Sequence, residues 1–303
     1  MRPAFVLAAL LLLPSCAPSA ESGPIDSAPM RADLERIIQT AAGDSAEISV
    51  AFMDLETGDS LLIDGHEVMH AASTMKVPVM LELFRRAEAG TLSLSDSLVV
   101  RNSFRSIADS SMYSLTAEED SDSEMYEKIG EKMTIRDLIE HMITRSSNLA
   151  TNILIAVADP DSVEATLARM GASEMNVLRG VEDIPAYELG MNNNTTAYGL
   201  MKTLQGVANG AIVSPAATEE MLQILERQEF QDMIPAGLPE GVRVGNKTGS
   251  ITEIHHDGAI VYPPGREPYV LVVLTRGFVD RDVSAAAGRD ISRAVYESVV
   301  GID

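Results

Sequence analysis

Three short groups of residues in this 303-residue chain combine hydroxyl, amine and amide side chains at spacings that could support nucleophilic catalysis. The first is Ser73-Thr74-Met75-Lys76, at a point where a helix is expected to begin. One helical turn places Lys76 on the same face as Ser73, within hydrogen-bonding range. A serine hydroxyl becomes a good nucleophile when a base removes its proton, and a buried lysine with a lowered pKa can serve as that base.

The other two groups supply further hydroxyls, an amide and a second amine. Ser146-Ser147-Asn148 lies at a junction between two helical segments, and Lys247-Thr248-Gly249-Ser250 follows the alternating pattern of residues 242–248. On that strand Lys247 shares a face with Gly245 and Gly249, which have no side chains to block a substrate. Each group alone could be a helix cap or a surface turn. Together they predict one site for an anionic, amide-containing substrate.

The elements around these groups predict an α+β fold. A helix around 34–41 and a hairpin of strands near 48–52 and 61–63 open the chain, and strands near 242–248, 259–262 and 269–274 precede a final helix. Residues from about 85 to 215 show helical spacing without convincing strand pairs. We therefore expect a five-stranded antiparallel sheet flanked by the N- and C-terminal helices, with an inserted all-helical lobe.

The N-terminus is typical of an exported protein. A basic residue precedes an apolar run that is too short to span a bilayer and ends at Leu13-Pro14-Ser15-Cys16. This segment resembles a bacterial lipobox, and Cys16 is the single cysteine of the chain. We predict a signal peptide over 1–15, a lipid-anchored tether over 16–28 and a hydrolase domain over 29–303. Its α/β lobe covers about 29–85 and 215–303, and its helical lobe about 86–214. The alternative is an ordinary signal peptide cut near Ala20.

Composition limits the partners. The formal net charge of −22 disfavours nucleic acid. The acidic segment 118–124 indicates a solvated loop, with a calcium site as the alternative. The five histidines form no H-x-H-x-D or H-E-x-x-H motif, so we expect neither a catalytic metal nor another cofactor. We expect a monomer.

The three motifs occur along the chain in the order S-x-x-K, S-x-N, K-T-G. This order resembles that of class A β-lactamases and related penicillin-recognising serine hydrolases. The resemblance runs along nearly the whole mature chain, and it implies a role for each motif residue. Ser73 is the acylated nucleophile, Lys76 its proton partner, and Ser146, helped by Lys247, passes a proton to the leaving nitrogen. Asn148 binds the side-chain amide of the substrate, and Thr248 and Ser250 bind its carboxylate. The backbone N–H groups of Ser73 and Ser250 form the oxyanion hole.

The chain departs from the family pattern at two places. Ser147 stands where the family usually has an aspartate, which is mainly structural there. The family also has a glutamate, followed by proline, on an Ω-shaped loop, and this glutamate activates the hydrolytic water. Glu182 matches it best, although Pro185 comes three residues later and the spacing from Arg179 is one residue too long. Glu188 is a rival. Alternatively, Glu182 is a structural partner of Arg179 and the hydrolytic base is missing.

The resemblance therefore implies a serine β-lactamase that hydrolyses the β-lactam amide through a Ser73 acyl-enzyme. The alternative is a penicillin-binding or sensing module, or a serine peptidase or esterase acting on substrates such as cell-wall peptides, that deacylates slowly. The cation that anchors the substrate carboxylate is also open. Arg276 and His256 are the candidates, and a salt-bridging arginine and a capping histidine are the alternative interpretations.

Overall fold

A computed structural model describes residues 27–301 of the protein. Its centre is a five-stranded sheet in the order β2-β1-β11-β10-β9, in which every neighbouring pair is antiparallel. The strands of this sheet are β1 (Glu47–Asp54), β2 (Ser60–Ile63), β9 (Arg243–Ile251), β10 (Ile254–Tyr262) and β11 (Tyr269–Arg276). The predicted sheet, built from both ends of the chain, is confirmed, and β9 lies at its edge.

Nine α-helices surround the sheet within the described residues. They are α1 (Ser27–Ala42), α2 (Lys76–Glu88), α3 (Ile135–Thr144), α4 (Asn148–Ala158), α5 (Pro160–Arg169), α6 (Ile184–Glu188), α7 (Ala197–Ala208), α8 (Pro215–Glu226) and α9 (Arg281–Val300). The first begins at Ser27, inside the segment predicted to be a tether. The predicted signal peptide and Cys16 lie outside the described residues. No helix of the described part of the chain is long and apolar enough to cross a membrane.

The inserted lobe is mainly helical, and it also contains short strand pairs. They are formed by β4 (Ser97–Val99) with β7 (Lys132–Thr134) and by β5 (Phe104–Arg105) with β6 (Met112–Tyr113); a third pair joins β3 (Met69–His70) to β8 (Asn194–Thr195). Alternation cannot reveal strands of two or three residues, so the sequence did not predict them.

Two apolar cores cover the two faces of the sheet. One packs α1 and α9 on the sheet through residues such as Leu34, Phe52 and Ile291. The other joins the opposite face to the helical lobe through residues such as Leu81, Leu138 and Val272. Caps fix the outer helices: Gly43 follows α1 with a φ of 54°, and the Asp280 side chain accepts the Asp282 N–H at the start of α9. The edge strand β9 packs against α8 and against the turn Ala72–Met75.

The acidic segment 118–124 is not simply a solvated loop, as the sequence suggested. Asp120 and Asp122 are 7% and 3% exposed, because their carboxylates bind groups around the α3–α4 junction. Asp122 contacts His141 at 2.6 Å. No group of three or more His, Cys, Asp or Glu side chains between residues 27 and 301 is arranged to hold a metal ion.

Candidate active site

A cleft opens along the edge strand β9, and residues of all three sequence motifs line it. It consists of two adjoining cavities of about 240 and 580 Å³. Ser73, Asn148 and Ser250 line both cavities, whereas Ser146 and Thr248 line the smaller and Glu182 the larger. The structure therefore brings the predicted motif residues and Glu182 together.

Ser73 lies in a 3₁₀ turn, Ala72–Met75, that leads directly into α2. The preceding residue, Ala72, has a φ of 46°. This left-handed conformation costs a non-glycine residue on the order of 1–3 kcal/mol and is typical of functional sites. The fold thus holds Ser73, the predicted nucleophile, in one strained turn, and Lys76 begins the helix that follows.

Lys76 and Lys247 are both completely buried, and both bind the hydroxyl of Ser146. Lys76 Nζ lies 3.2 Å from Ser146 Oγ and 2.6 Å from the Ser146 carbonyl oxygen. Lys247 Nζ approaches the same hydroxyl from β9 at 3.0 Å and also donates to the Thr248 carbonyl at 2.8 Å. A hydroxyl between two amines can receive a proton from one side and pass it on.

Burial changes the protonation of both amines. Removal from water lowers the pKa of Lys76 to about 7, although the negative charges of Asp120 and Glu182 oppose the change. Burial, and then the charge of Lys76, holds the pKa of Lys247 well below its usual value. Near neutral pH an amine in this pair can therefore be unprotonated, as a general base must be.

Asn148 connects the lysine to the predicted hydrolytic carboxylate. Its Oδ1 accepts from Lys76 Nζ at 2.9 Å, and its side-chain amide lies close enough to Glu182 to lower the pKa of that carboxyl group. Since the oxygen accepts from Lys76, the amide nitrogen is the group that can donate toward Glu182. Burial raises the pKa of Glu182, followed by the charges of Glu119 and Asp120, while the Asn148 hydrogen bond and Lys76 oppose the rise. A raised pKa makes this carboxylate a stronger base.

The backbone around Glu182 is also unusual. Its φ is 60°, and it is one of seven non-glycine residues with positive φ among residues 27–301. Three of the seven, namely Ala72, Ser146 and Glu182, lie at this cleft. Backbone strain of this kind clusters at active sites. It singles out Glu182 independently of the sequence motifs.

Buried polar residues clamp the loop that carries Glu182. Asn152 on α4 accepts the Val181 N–H at 2.7 Å and donates to the Val181 carbonyl at 2.9 Å. Asp183 accepts the Ile107 N–H at 2.9 Å and caps α6. Asn193 closes the loop by accepting the N–H groups of Leu178 and Arg179. The sequence analysis did not assign these three clamping residues, since an Asn or Asp in a loop carries no signal of what it will contact.

The two alternatives to Glu182 find no support in the geometry. Arg179 does not pair with Glu182: it donates to the carbonyls of Met191 and Gly180 and to Asn192 Oδ1. Glu188 is exposed on α6 and lies outside both cavities.

Gly249 lets β9 approach the turn that carries Ser73. A Cβ at this position would lie 3.0 Å from the Ser73 nitrogen and 3.1 Å from the Thr74 nitrogen. This approach places the K-T-G-S segment beside the backbone of Ser73, as an oxyanion hole built from the Ser73 and Ser250 N–H groups requires.

The structure does not bring the predicted anchoring cations to the cleft. Arg276 pairs with Glu47 and donates to the Val68 carbonyl at 3.3 Å. His256 is buried, binds the Thr275 N–H and the His70 carbonyl, and has its pKa lowered to about 4 by burial, so it is neutral. Arg281 lines the smaller cavity instead. Its Nη2 forms an ion pair with Asp232 Oδ2 at 3.3 Å. Its position at the start of α9 gave no sign that its side chain would line the cleft.

The fold and the cleft define the class of penicillin-recognising serine hydrolases. A model of the β-lactamase enzyme family matches residues 29–299, so the chain belongs to that family. A β-lactamase of Rhodobacter capsulatus is 26% identical over 275 residues and covers 89% of each chain.

Solved structures of similar fold support the same family. An ancestral class A β-lactamase has a TM-score of 0.75 and 26% identity, covering 88% of this chain and 99% of its own. The structure of PBP-A has a TM-score of 0.74 and 24% identity, covering 89% and 96%, and this likeness shows the fold alone.

Proposed function

We propose that the protein is a serine β-lactamase of the class A type, with Glu182 as the base of the deacylation step. The observation that carries the proposal is the position of Glu182: a partly buried carboxylate on a strained backbone that shares a cleft with Ser73 and Asn148. The raised pKa of Glu182 and the lowered pKa of Lys76 support the two roles of base.

In the acylation step Ser73 Oγ attacks the carbonyl carbon of the β-lactam, and its proton passes to neutral Lys76. The C–N bond then breaks, and the nitrogen takes the proton of Ser146 Oγ, which Lys247 or Lys76 replaces. The N–H groups of Ser73 and Ser250 stabilise the negative oxygen of the intermediate.

In the deacylation step Glu182 removes a proton from a water molecule whose oxygen attacks the ester carbonyl carbon. The ester C–O bond then breaks, the Ser73 oxygen takes back the proton that Glu182 removed from the water, and the acid product departs. Thr248, Ser250 and Arg281 bind the substrate carboxylate, and Asn148 binds the side-chain amide. Arg281 replaces Arg276 in this assignment because it lines the cavity of Ser73, Thr248 and Ser250.

A nitrocefin time course at micromolar enzyme tests the proposal, with Ser73→Ala and Glu182→Gln beside the wild type. Glu188→Gln is the matched control, since it removes an exposed glutamate from the same loop. We expect sustained turnover in wild type and in Glu188→Gln, and no product burst in Ser73→Ala. Glu182→Gln should give one burst per enzyme and then a rate about 10²- to 10⁴-fold lower.

A stoichiometric burst followed by no turnover in wild type would contradict the proposal. The protein would then be a penicillin-binding sensor, or a peptidase or esterase, as the alternative from the sequence has it. Export and attachment of Cys16 to a membrane remain predictions that this assay does not address.

A further inference from the structure

The carboxylate of Asp120 lies at the first turn of α4, immediately behind the catalytic groups. Asp120 Oδ1 accepts the Asn148 N–H at 3.0 Å, and Oδ2 accepts the Leu149 N–H at 2.9 Å. The same carboxylate accepts the Tyr126 hydroxyl and the Asp122 N–H, both at 3.1 Å. Asp120 is therefore a fully engaged acceptor, held in one orientation by its own loop.

The bonds from Asn148 and Leu149 provide acceptors for backbone N–H groups at the start of α4 that the side chains of the second motif do not bind. The first N–H groups of a helix have no partner within the helix, and a carboxylate there is favoured by the helix dipole. Ser147 caps only the Ala150 N–H, at 3.2 Å. Where the family's pattern has an aspartate, this chain has a serine, and the carboxylate arrives from the neighbouring loop.

The same loop holds the residue before the helix. Ser121 Oγ donates to the carbonyls of Arg145 at 2.7 Å and Ser146 at 3.2 Å. Ser146 has a φ of 58°, so its backbone stays in place only if its surroundings determine it. Through these contacts the position of the 118–124 loop fixes Ser146 and Asn148, the two residues that bind Lys76.

We propose that Asp120 is a positioning residue that takes over the structural task of the missing motif aspartate, fixing the start of α4 so that Ser146 and Asn148 face Lys76. The inference rests on the proposed function for its kinetic consequence. The charged groups that face Lys76 are Asp120, Glu182 and Lys247, and the two carboxylates raise the pKa of Lys76 against burial. Removal of the Asp120 charge thus affects both geometry and protonation.

The test compares Asp120→Asn with the double variant Asp120→Asn/Ser147→Asp, and Glu118→Gln is the control because it removes an exposed charge from the same loop. The first readout is the acylation rate from the nitrocefin burst, which does not depend on deacylation. Asp120→Asn should acylate about 10- to 100-fold more slowly, since displacement of catalytic groups by about 1 Å has effects of this size. The double variant Asp120→Asn/Ser147→Asp should acylate about tenfold or more faster than Asp120→Asn. Glu118→Gln should match wild type.

The second readout is the titration of Lys76, followed by NMR with ¹³Cε-labelled lysine. The pKa of Lys76 should fall in Asp120→Asn and rise again in the double variant, a pattern that a purely structural role would not produce. If wild type is not acylated at all, the proposed function fails, and this titration alone decides the role of Asp120.

An unchanged acylation rate and an unchanged Lys76 titration in Asp120→Asn would overturn the inference. So would a slow variant that Ser147→Asp does not rescue. If Asp120→Asn does not fold, the double variant carries the test: a folded double variant that acylates like wild type supports the inference, and a folded but inactive one refutes it.

Discussion

Replacing Gly249 with alanine should slow the acylation of Ser73, whereas the same change at Gly245 should not. Both glycines lie on β9 and share the face of Lys247. An alanine Cβ at 249 would lie 3.0 Å from the Ser73 nitrogen and 3.1 Å from the nitrogen and Cγ2 of Thr74. Since two of these atoms are backbone, they cannot rotate away. Ordinary contacts begin at about 3.5 Å, so strand and turn must separate by about half an ångström.

This separation sets the expected magnitude. A displacement of about 1 Å costs catalysis on the order of 100-fold, so half of it corresponds to about tenfold. Overpacking should also lower the free energy of unfolding by about 1–3 kcal/mol. At Gly245 an alanine Cβ would lie 3.1 Å from Leu225 Cβ and 3.4 Å from the Glu226 nitrogen, far from the nucleophile. Gly245→Ala should therefore lose comparable stability without losing acylation.

Stopped-flow measurement of the nitrocefin burst, together with thermal unfolding of both variants, separates the two effects. Equal slowing of acylation in the two variants would mean that general destabilisation, not the geometry at Ser73, determines the rate. An acylation rate in Gly249→Ala equal to that of wild type would refute the reasoning. It would mean that β9 and the turn that carries Ser73 can separate without any effect on acylation.

Three further outcomes follow from the charges of the cleft. Acylation should slow as the pH falls through about 7, the pKa of Lys76, because protonation of this amine removes the base; a flat burst-rate profile would contradict this. The exposed Glu119 places a negative charge at both cavities. Ampicillin, benzylpenicillin and carbenicillin carry an amine, a hydrogen and a carboxylate, respectively, at the same carbon. Because Glu119 attracts the amine and repels the carboxylate, kcat/KM should decrease in that order. Each step should be about two- to fivefold, and Glu119→Gln should abolish the order. Arg281→Ala should raise KM for benzylpenicillin about tenfold, and Arg276→Ala, the matched control, should not; equal effects would refute the assignment of Arg281.

The sheet and the motifs were predictable because their signals are local. The strand Tyr269–Arg276 begins with six apolar residues in a row, and the three motifs each keep their candidate catalytic residues within a few positions of one another. The choice between Glu182 and Glu188 could not be made this way, since both lie in one loop with irregular spacing. The folded structure distinguishes them, because Glu182 lines the cleft with Ser73 and Asn148 and Glu188 does not.

Residues that act across long sequence distances were not predictable. Asp120 looks like one acid among several in its segment, and only the packing of that segment on α4 gives it its partners. Arg281 looks like the first basic residue of a terminal helix. Arg276 looked more suitable because its strand lies near the third motif, but its side chain pairs with Glu47 at the end of the sheet.

The cleft concentrates features that are unfavourable for folding and useful for acyl transfer. Lysine side chains are rarely fully buried, yet Lys76 and Lys247 are, and they contact one hydroxyl. If they were moved into water, their pKa values would return to the usual range and neither would be a base at neutral pH. The left-handed backbone at Ala72, Ser146 and Glu182 likewise persists only because the surroundings over-determine it. Two kinds of packing supply those surroundings. Apolar core residues such as Met75 and Leu149 exclude water around the amines, and Asn152 and Asp183 hold the loop that carries Glu182.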